Sequence, residues 1–163
     1  MAFPDFARLI DAHAAPLVLY ARQWCDAPED VVQEAFLKLV RQSRPPEDAV
    51  AWLYRVVRNG ALDAAKMARR RQKRESAVAR PVRWFVEAEV EGFDAQTAVA
   101  ALQRLPPEQR EIIVARHWGN LSFEQIAEVA GCSASTAFRR YTAGVEDLRK
   151  QLGVSCPNLS SNA

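Results

Sequence analysis

Residues 121–141 read LSFEQIAEVAGCSASTAFRRY, and how this stretch is parsed decides the fold. Ser122 followed three residues later by Gln125 forms a capping box, in which each side chain satisfies the other residue's free backbone N–H. Ile126 and Ala130 then fall on one helical face. Ala127 is small enough for two helices to cross at a wide angle. Gly131 tolerates the positive φ of a tight turn, and Cys132 fills the apolar slot after it. Ser133 can cap a second helix, with Ala137 and Tyr141 directed inward. Together these slots spell a helix-turn-helix. Two readings stand: a helix pair that reads DNA, or a plain corner in a helical core. On the first reading the exposed front of the second helix enters the major groove, with Ser133, Ser135, Thr136, Phe138, Arg139 and Arg140 as its contacts. Arginine suits guanine or phosphate, whereas Ser and Thr are adaptable phosphate contacts. Phe138 either touches a thymine methyl or packs on a neighbouring helix. Gly144, inside the second helix, costs up to roughly 1 kcal/mol relative to alanine and predicts a bend or a loosening there.

Working outward, the same helical unit begins near Ala95 with the stripe Val99, Leu102 and Leu105. LPPEQ stops that helix, and Pro107 with Glu108 opens the next, whose apolar face holds Ile112, Ile113, Ala115 and Trp118. Before residue 76 four helical stretches can be drawn. The first lies within residues 4–24, interrupted at Pro16, which is expected to break or kink it. The next starts after Asp26 as N-cap, with Pro28 and Glu29 in its first turn. Its face is Val32, Ala35, Phe36, Leu39 and Val40, and SRPP at 43–46 ends it. A long helix from about Glu47 to Arg74 carries Trp52, Leu53, Val56, Val57, Ala61, Leu62 and Ala65 on its apolar side. The predicted fold is therefore all-α: two small helical domains, 1–75 and 95–152, joined by a linker at 76–94, with a frayed tail at 153–163. The second domain contains the helix-turn-helix.

The 163 residues are 49% hydrophobic, with Gly 6, so a packed helical core is expected rather than disorder. A net charge of +2 does not announce nucleic acid, but its distribution does. Residues 66–80 hold seven Lys/Arg against one Glu, and residues 81–98 hold four acids against one Arg. Cys25, Cys132 and Cys156 have no disulfide or zinc spacing, and Cys132 reads as a buried free thiol. No signal peptide and no run long enough to span a bilayer are visible, which predicts a cytoplasmic protein without membrane insertion. His13 and His117 stand alone, and Asp63 with Glu75 makes no acid pair, so neither an enzyme nor a cofactor is expected. Trp84, Phe85 and Phe93 are unusual in a linker. They either dock on the chain's own domains or contact a partner.

DVVQEAFLKL, AWLYRVVRNGALDAAKMARRR and LPPEQREIIVARHWGNLSFEQIAEVAGCSASTAFRRY occur in that order. In order and spacing they resemble regions 2 and 4 of sigma-70-family factors of the extracytoplasmic-function type, from residue 5 to about 152. The resemblance implies a bacterial transcription initiation factor that binds core RNA polymerase and directs it to promoters. It places Asp30, Gln33, Glu34 and Phe36 against the clamp helices of the β′ subunit, where an acidic and amide face beside apolar anchors suits a basic partner. Trp52, Tyr54, Arg55, Arg58 and Asn59, with Lys66, Arg69 and Arg70 further along the same helix, would melt and hold the −10 element. Unpaired bases need stacking surfaces and a cationic track. The helix-turn-helix would read the −35 element, the β flap would be a second polymerase contact, and an anti-sigma factor is a further partner to expect. The chain departs from many relatives in having no aromatic residue shortly before Trp52 and in carrying Phe138 where they carry a basic residue. The alternative function is a dimeric helix-turn-helix repressor or activator that works without polymerase; no heptad seam for dimerisation is visible.

Overall fold

The computed structural model describes residues 3–75 and 95–153, and these form seven α-helices with no strand among them. In chain order they are α1 (Phe3–Ala21), α2 (Pro28–Val40), α3 (Ala49–Glu75), α4 (Ala95–Arg104), α5 (Pro107–His117), α6 (Phe123–Ala130) and α7 (Ala134–Leu152). Trp84, Phe85, Phe93 and Cys156 lie outside the described residues.

Pro16 does not divide α1, which runs unbroken through it. A proline inside a helix costs about 3 kcal/mol. The residues just beyond it, Leu17, Tyr20 and Ala21, are fully buried, and burying a large apolar side chain is worth roughly 1.5–3 kcal/mol. Packing of the last turn therefore outweighs the lost hydrogen bond. Asp26 is not the cap of α2. That position belongs to Ala27, without a side-chain cap, because Pro28 at the first helical position has no N–H to satisfy. At the start of α3 the capping falls to Asp48, whose Oδ1 accepts the Ala51 N–H at 2.9 Å.

Helices α1, α2 and α3 pack around Leu17, Val32, Ala35, Phe36, Leu39, Leu53, Val57 and Ala61. Val40, placed on the buried face of α2 by periodicity, is instead exposed, as are Leu37 and Trp118. In the second unit α4 and α5 both pack against α7, and α6 packs against α5 and α7. Leu102, Leu105 and Ile113 form a small core there with Tyr141, Val145 and Leu148 beside it. Gly144 does not interrupt the helix: α7 continues through it to Leu152. A Cβ at Gly144 would lie 2.8 Å from Ile113 Cδ1 and 3.1 Å from Gln109 Cβ, so the missing side chain is what lets α7 close on α5.

The two units are in contact rather than apart. Helix α3 packs on α6, and α1 on α5. One buried cluster runs from Leu17 and Tyr20 through Tyr54 and Val57 to Ile112, Val114, Ile126 and Ala137. Helix α5 is thus apolar on nearly every side, with Ile112, Ile113, Val114 and Ala115 all buried.

Candidate nucleic-acid and polymerase interface

The capping box forms as the sequence predicts. Ser122 Oγ accepts the Gln125 N–H at 3.2 Å, and Gln125 Oε1 accepts the Ser122 N–H at 2.8 Å. Gly131 then turns the chain at φ 68° and ψ 40°, a left-handed conformation that strains any residue with a Cβ. Ser133 caps α7 by accepting the Thr136 N–H at 3.1 Å and also donates its hydroxyl to Thr136 Oγ1 at 2.8 Å. Ser133 is therefore spent on holding the helix start. Ala137 is fully buried beneath the front of α7, which leaves Ser135, Phe138 and Arg139 exposed and Thr136 and Arg140 half-buried. Cys132, read as a buried thiol, is half-buried.

Phe138 packs on the neighbouring helix and still keeps an open face. It is 53% exposed, yet its ring stands edge-on to Phe123 at 5.3 Å. Phe123 in turn meets Tyr141 at 5.4 Å and carries the Arg116 guanidinium 5.0 Å above its ring. Tyr141 Oη and His117 Nε2 are hydrogen-bonded at 3.1 Å. An aromatic cluster thus props Phe138 outward at a fixed angle, and an edge-to-face pair of this kind adds about 0.5–1.5 kcal/mol beyond burial.

The predicted −10 residues do not share one environment. Lys66, Arg69 and Arg70 are exposed, in a stretch of α3 from residue 66 to 74 that is exposed throughout. Asn59 is exposed and Trp52 half-buried. Arg55 pairs with Glu128 of α6 at 3.2 Å. Tyr54 is 0% exposed and therefore cannot stack on a base in this conformation. It lies instead against Gly119, where a Cβ would come within 2.6 Å of its hydroxyl. On α2, Asp30, Gln33 and Glu34 are exposed on one face with Leu37. Phe36 is a core residue, 7% exposed and edge-on to Phe6 at 6.0 Å, so it supports that face rather than forming it.

Sequence reasoning missed Glu111. This carboxylate, 6% exposed on α5, accepts Tyr20 Oη–H at 2.6 Å, Arg58 Nε–H at 2.5 Å and Arg58 Nη2–H at 3.3 Å. The only hint in the sequence was an acid inside the apolar run EIIVA. Hydrogen bonding to Glu111 favours the charged guanidinium of Arg58 and pushes its pKa up. Removing one partner of such a buried pair costs about 3–5 kcal/mol, because a charge is left uncompensated. Nearby, Gln125 Nε2 donates to Asp48 Oδ2 at 2.6 Å. Burial opposes the charge on Asp48, but the bonds from Gln125, Ala51 and Val50 outweigh it and hold the carboxyl below its ordinary range.

Burial, then the charge of Glu111, push the Tyr20 hydroxyl well above the usual tyrosine range, and burial alone pushes Tyr54 up. A raised pKa in the folded chain means stability that is complete below the free value, about 10, and lost as pH rises through the folded value. Tyr20 and Tyr54 should thus ionise only as the helices melt, followed by ultraviolet difference absorbance beside circular dichroism. Ionisation of either with the helices intact near pH 10 would contradict the burial.

The comparisons with known proteins fall on the same two helical units. A family model described as Sigma-70 region 2 matches residues 9–74, and one described as Sigma-70, region 4 matches residues 95–148. The RNA polymerase sigma factor CarQ of Myxococcus xanthus is 31% identical over 77% of this chain and 74% of its own length. The chain belongs to the sigma-70 family, extracytoplasmic-function type. The ECF RNA polymerase sigma factor SigJ of Mycobacterium tuberculosis is 32% identical over 67% of this sigma factor, which spans only 38% of SigJ. The sigma factor RpoE of Bartonella quintana, solved in complex with the anti-sigma factor NepR, shares the fold at TM-score 0.73 and 23% identity, over 93% of this chain and 99% of that one. This sigma factor is a promoter-directing transcription initiation factor. Among its described residues no helix is long and apolar enough to cross a membrane.

Proposed function

We propose that this sigma factor divides its work among three surfaces. The face of α2 bearing Asp30, Gln33 and Glu34 docks on the β′ clamp helices, with Phe36 supporting it from the core. Helix α3 melts and holds the −10 element through Trp52, Arg55, Arg58 and Asn59, and Lys66, Arg69 and Arg70 track the phosphates. The front of α7, from Ser135 to Arg140, reads the −35 element. Residues 1–75 and 95–152 are the corresponding domains. The observation that carries this reading is the open front of α7: a helix capped by Ser133, backed by buried Ala137, and presenting Phe138 and Arg139 to solvent. The apolar groove lined by Leu102, Ile113, Trp118, Val145 and Leu148 suits the β flap. The chain performs no chemistry of its own and acts beside polymerase in the cytoplasm. An anti-sigma factor is a fitting partner, since RpoE of Bartonella quintana was solved with one.

Transcription of genomic fragments by core RNA polymerase tests this directly. Discrete start sites should appear only when the protein is added, each preceded by a shared pair of short elements. A protein that footprints a palindrome by itself and yields no new transcripts with polymerase would support the repressor reading instead.

A further inference from the structure

We infer that Phe138 reads a thymine in the −35 element by covering its 5-methyl group, with Phe123 setting the angle of the ring. The inference deepens the assignment of the α7 front to that element and rests on it. A single exposed hydrophobic side chain needs no explanation by itself. Phe138 is set apart by where it stands and how it is held. Among the described residues the other exposed large hydrophobics, Leu37, Val40, Met67 and Trp118, lie on α2, on α3 and at the end of α5. Phe138 is on α7, about 100° round the helix from buried Ala137, with Ser135 at about 160° and Arg139 at about 200°. It therefore forms one flank of the exposed front that Ser135 and Arg139 centre. Its ring is held from behind. Phe123, the first residue of α6, meets it edge-on at 5.3 Å and is itself fixed by Tyr141 at 5.4 Å and by the Arg116 guanidinium at 5.0 Å. Arg116 is anchored in turn, donating Nη1–H to the Leu121 carbonyl at 2.6 Å. A ring propped in this way loses little freedom on binding, so little of its contact energy goes into ordering the side chain.

The hydroxyls beside it are turned onto the helix. Ser133 Oγ donates to Thr136 Oγ1 and lies 3.1 Å from Ser135 Oγ, and Thr142 Oγ1 donates to the Arg139 carbonyl at 2.9 Å. What a phenyl ring can recognise in the major groove is narrow. It has no donor or acceptor for a phosphate or a base edge. Guanine, adenine and cytosine present polar atoms there, and a ring pressed on them strips water without replacing its hydrogen bonds. Thymine alone presents an apolar group, the C5 methyl. Ring and methyl then remove each other from water, which is worth about fourfold in affinity for one buried methyl group.

Replacing thymine by deoxyuridine removes the methyl and keeps the base pair. The assay is binding of holoenzyme, this chain with core polymerase, to a promoter duplex identified by transcription of genomic fragments. Each −35 thymine on either strand is replaced in turn. One of them should stand out, its demethylation weakening binding about fourfold. With Phe138→Ala the all-thymine duplex should bind about fourfold more weakly, and that uridine should no longer matter. Phe138→Leu, still apolar, should keep most of the methyl effect. Phe138→Arg should turn the preference at that position from thymine to guanine. Phe123→Leu should lower the thymine-to-uridine ratio about twofold by loosening the ring. A lower overall affinity with that ratio intact would remove Phe123 from the reading and leave it a packing residue. Thermal melting by circular dichroism checks that the variants fold. An element without thymine, or one in which no uridine has an effect that depends on Phe138, overturns the inference. The double variant Arg139→Ala, Arg140→Ala is run alongside. If it abolishes promoter recognition while every uridine is neutral, only the methyl contact is lost; if recognition survives it, the assignment of α7 itself falls.

Discussion

Replacing Arg139 and Arg140 together by alanine should reduce promoter-specific transcription by about 30-fold or more while leaving the affinity for core polymerase within twofold. Arg139 is exposed and Arg140 half-buried on α7, immediately after the turn and cap that fix the helix front. A well-placed arginine contact to guanine or phosphate is worth about 1–3 kcal/mol, and a factor of ten corresponds to about 1.4 kcal/mol. Two such losses give the stated factor at the lower end. Surface substitutions away from caps and cores change stability by about 0.5 kcal/mol or less, so the melting temperature should hardly move. Run-off transcription from a cognate promoter and co-migration with core enzyme are the two measurements. Equal loss of both would mean that the front of α7 serves polymerase and not DNA.

Glu34→Lys should produce the mirror image: core-polymerase affinity lower by roughly 30- to 1,000-fold, with the −35 surface untouched. Glu34 is exposed on α2, 3.9 Å from Lys38, a solvated pair of side chains each about half exposed. That pair contributes little to the fold. The docking face is acidic, with Asp30 one turn earlier, and a charge reversal opposite a basic partner costs several kcal/mol through like-charge contact. The loss should appear mainly in the association rate and shrink at higher salt. Competition against a reference sigma factor for limiting core enzyme reads it out. Unchanged affinity would remove α2 from the polymerase interface.

The helix-turn-helix was legible because its signals are local. A capping box, a left-handed glycine and a capping serine act within four residues of one another, and all three appear in the structure. Helix α5 shows where such reading stops. Its apolar residues cover nearly the whole circumference, because α1 and α6 pack on it as well as α7. Periodicity then no longer tells inside from outside, and Trp118 was placed inward when it is 41% exposed. Val40 was misplaced for a related reason: a stripe of apolar residues locates the buried side of a helix but not the edge of the cover, and Val40 is exposed while Phe36 on the same stripe is buried. Gly144 looked like a weak point in an isolated helix and is a close-packing point in the folded one.

The sequence by itself determined that this chain is a string of helices, where most of them begin and end, and the family to which the order of its motifs belongs. Caps, turns and helical periodicity depend on neighbours a few residues apart, so they are written in the chain directly. Only the tertiary structure decided that the two units touch, that Tyr54 is enclosed, and that Glu111 holds Arg58 across 53 residues of sequence. A buried carboxylate is tolerable only beside partners that compensate its charge. Those partners come from α1 and α3, brought to α5 by packing that leaves no local trace in the sequence.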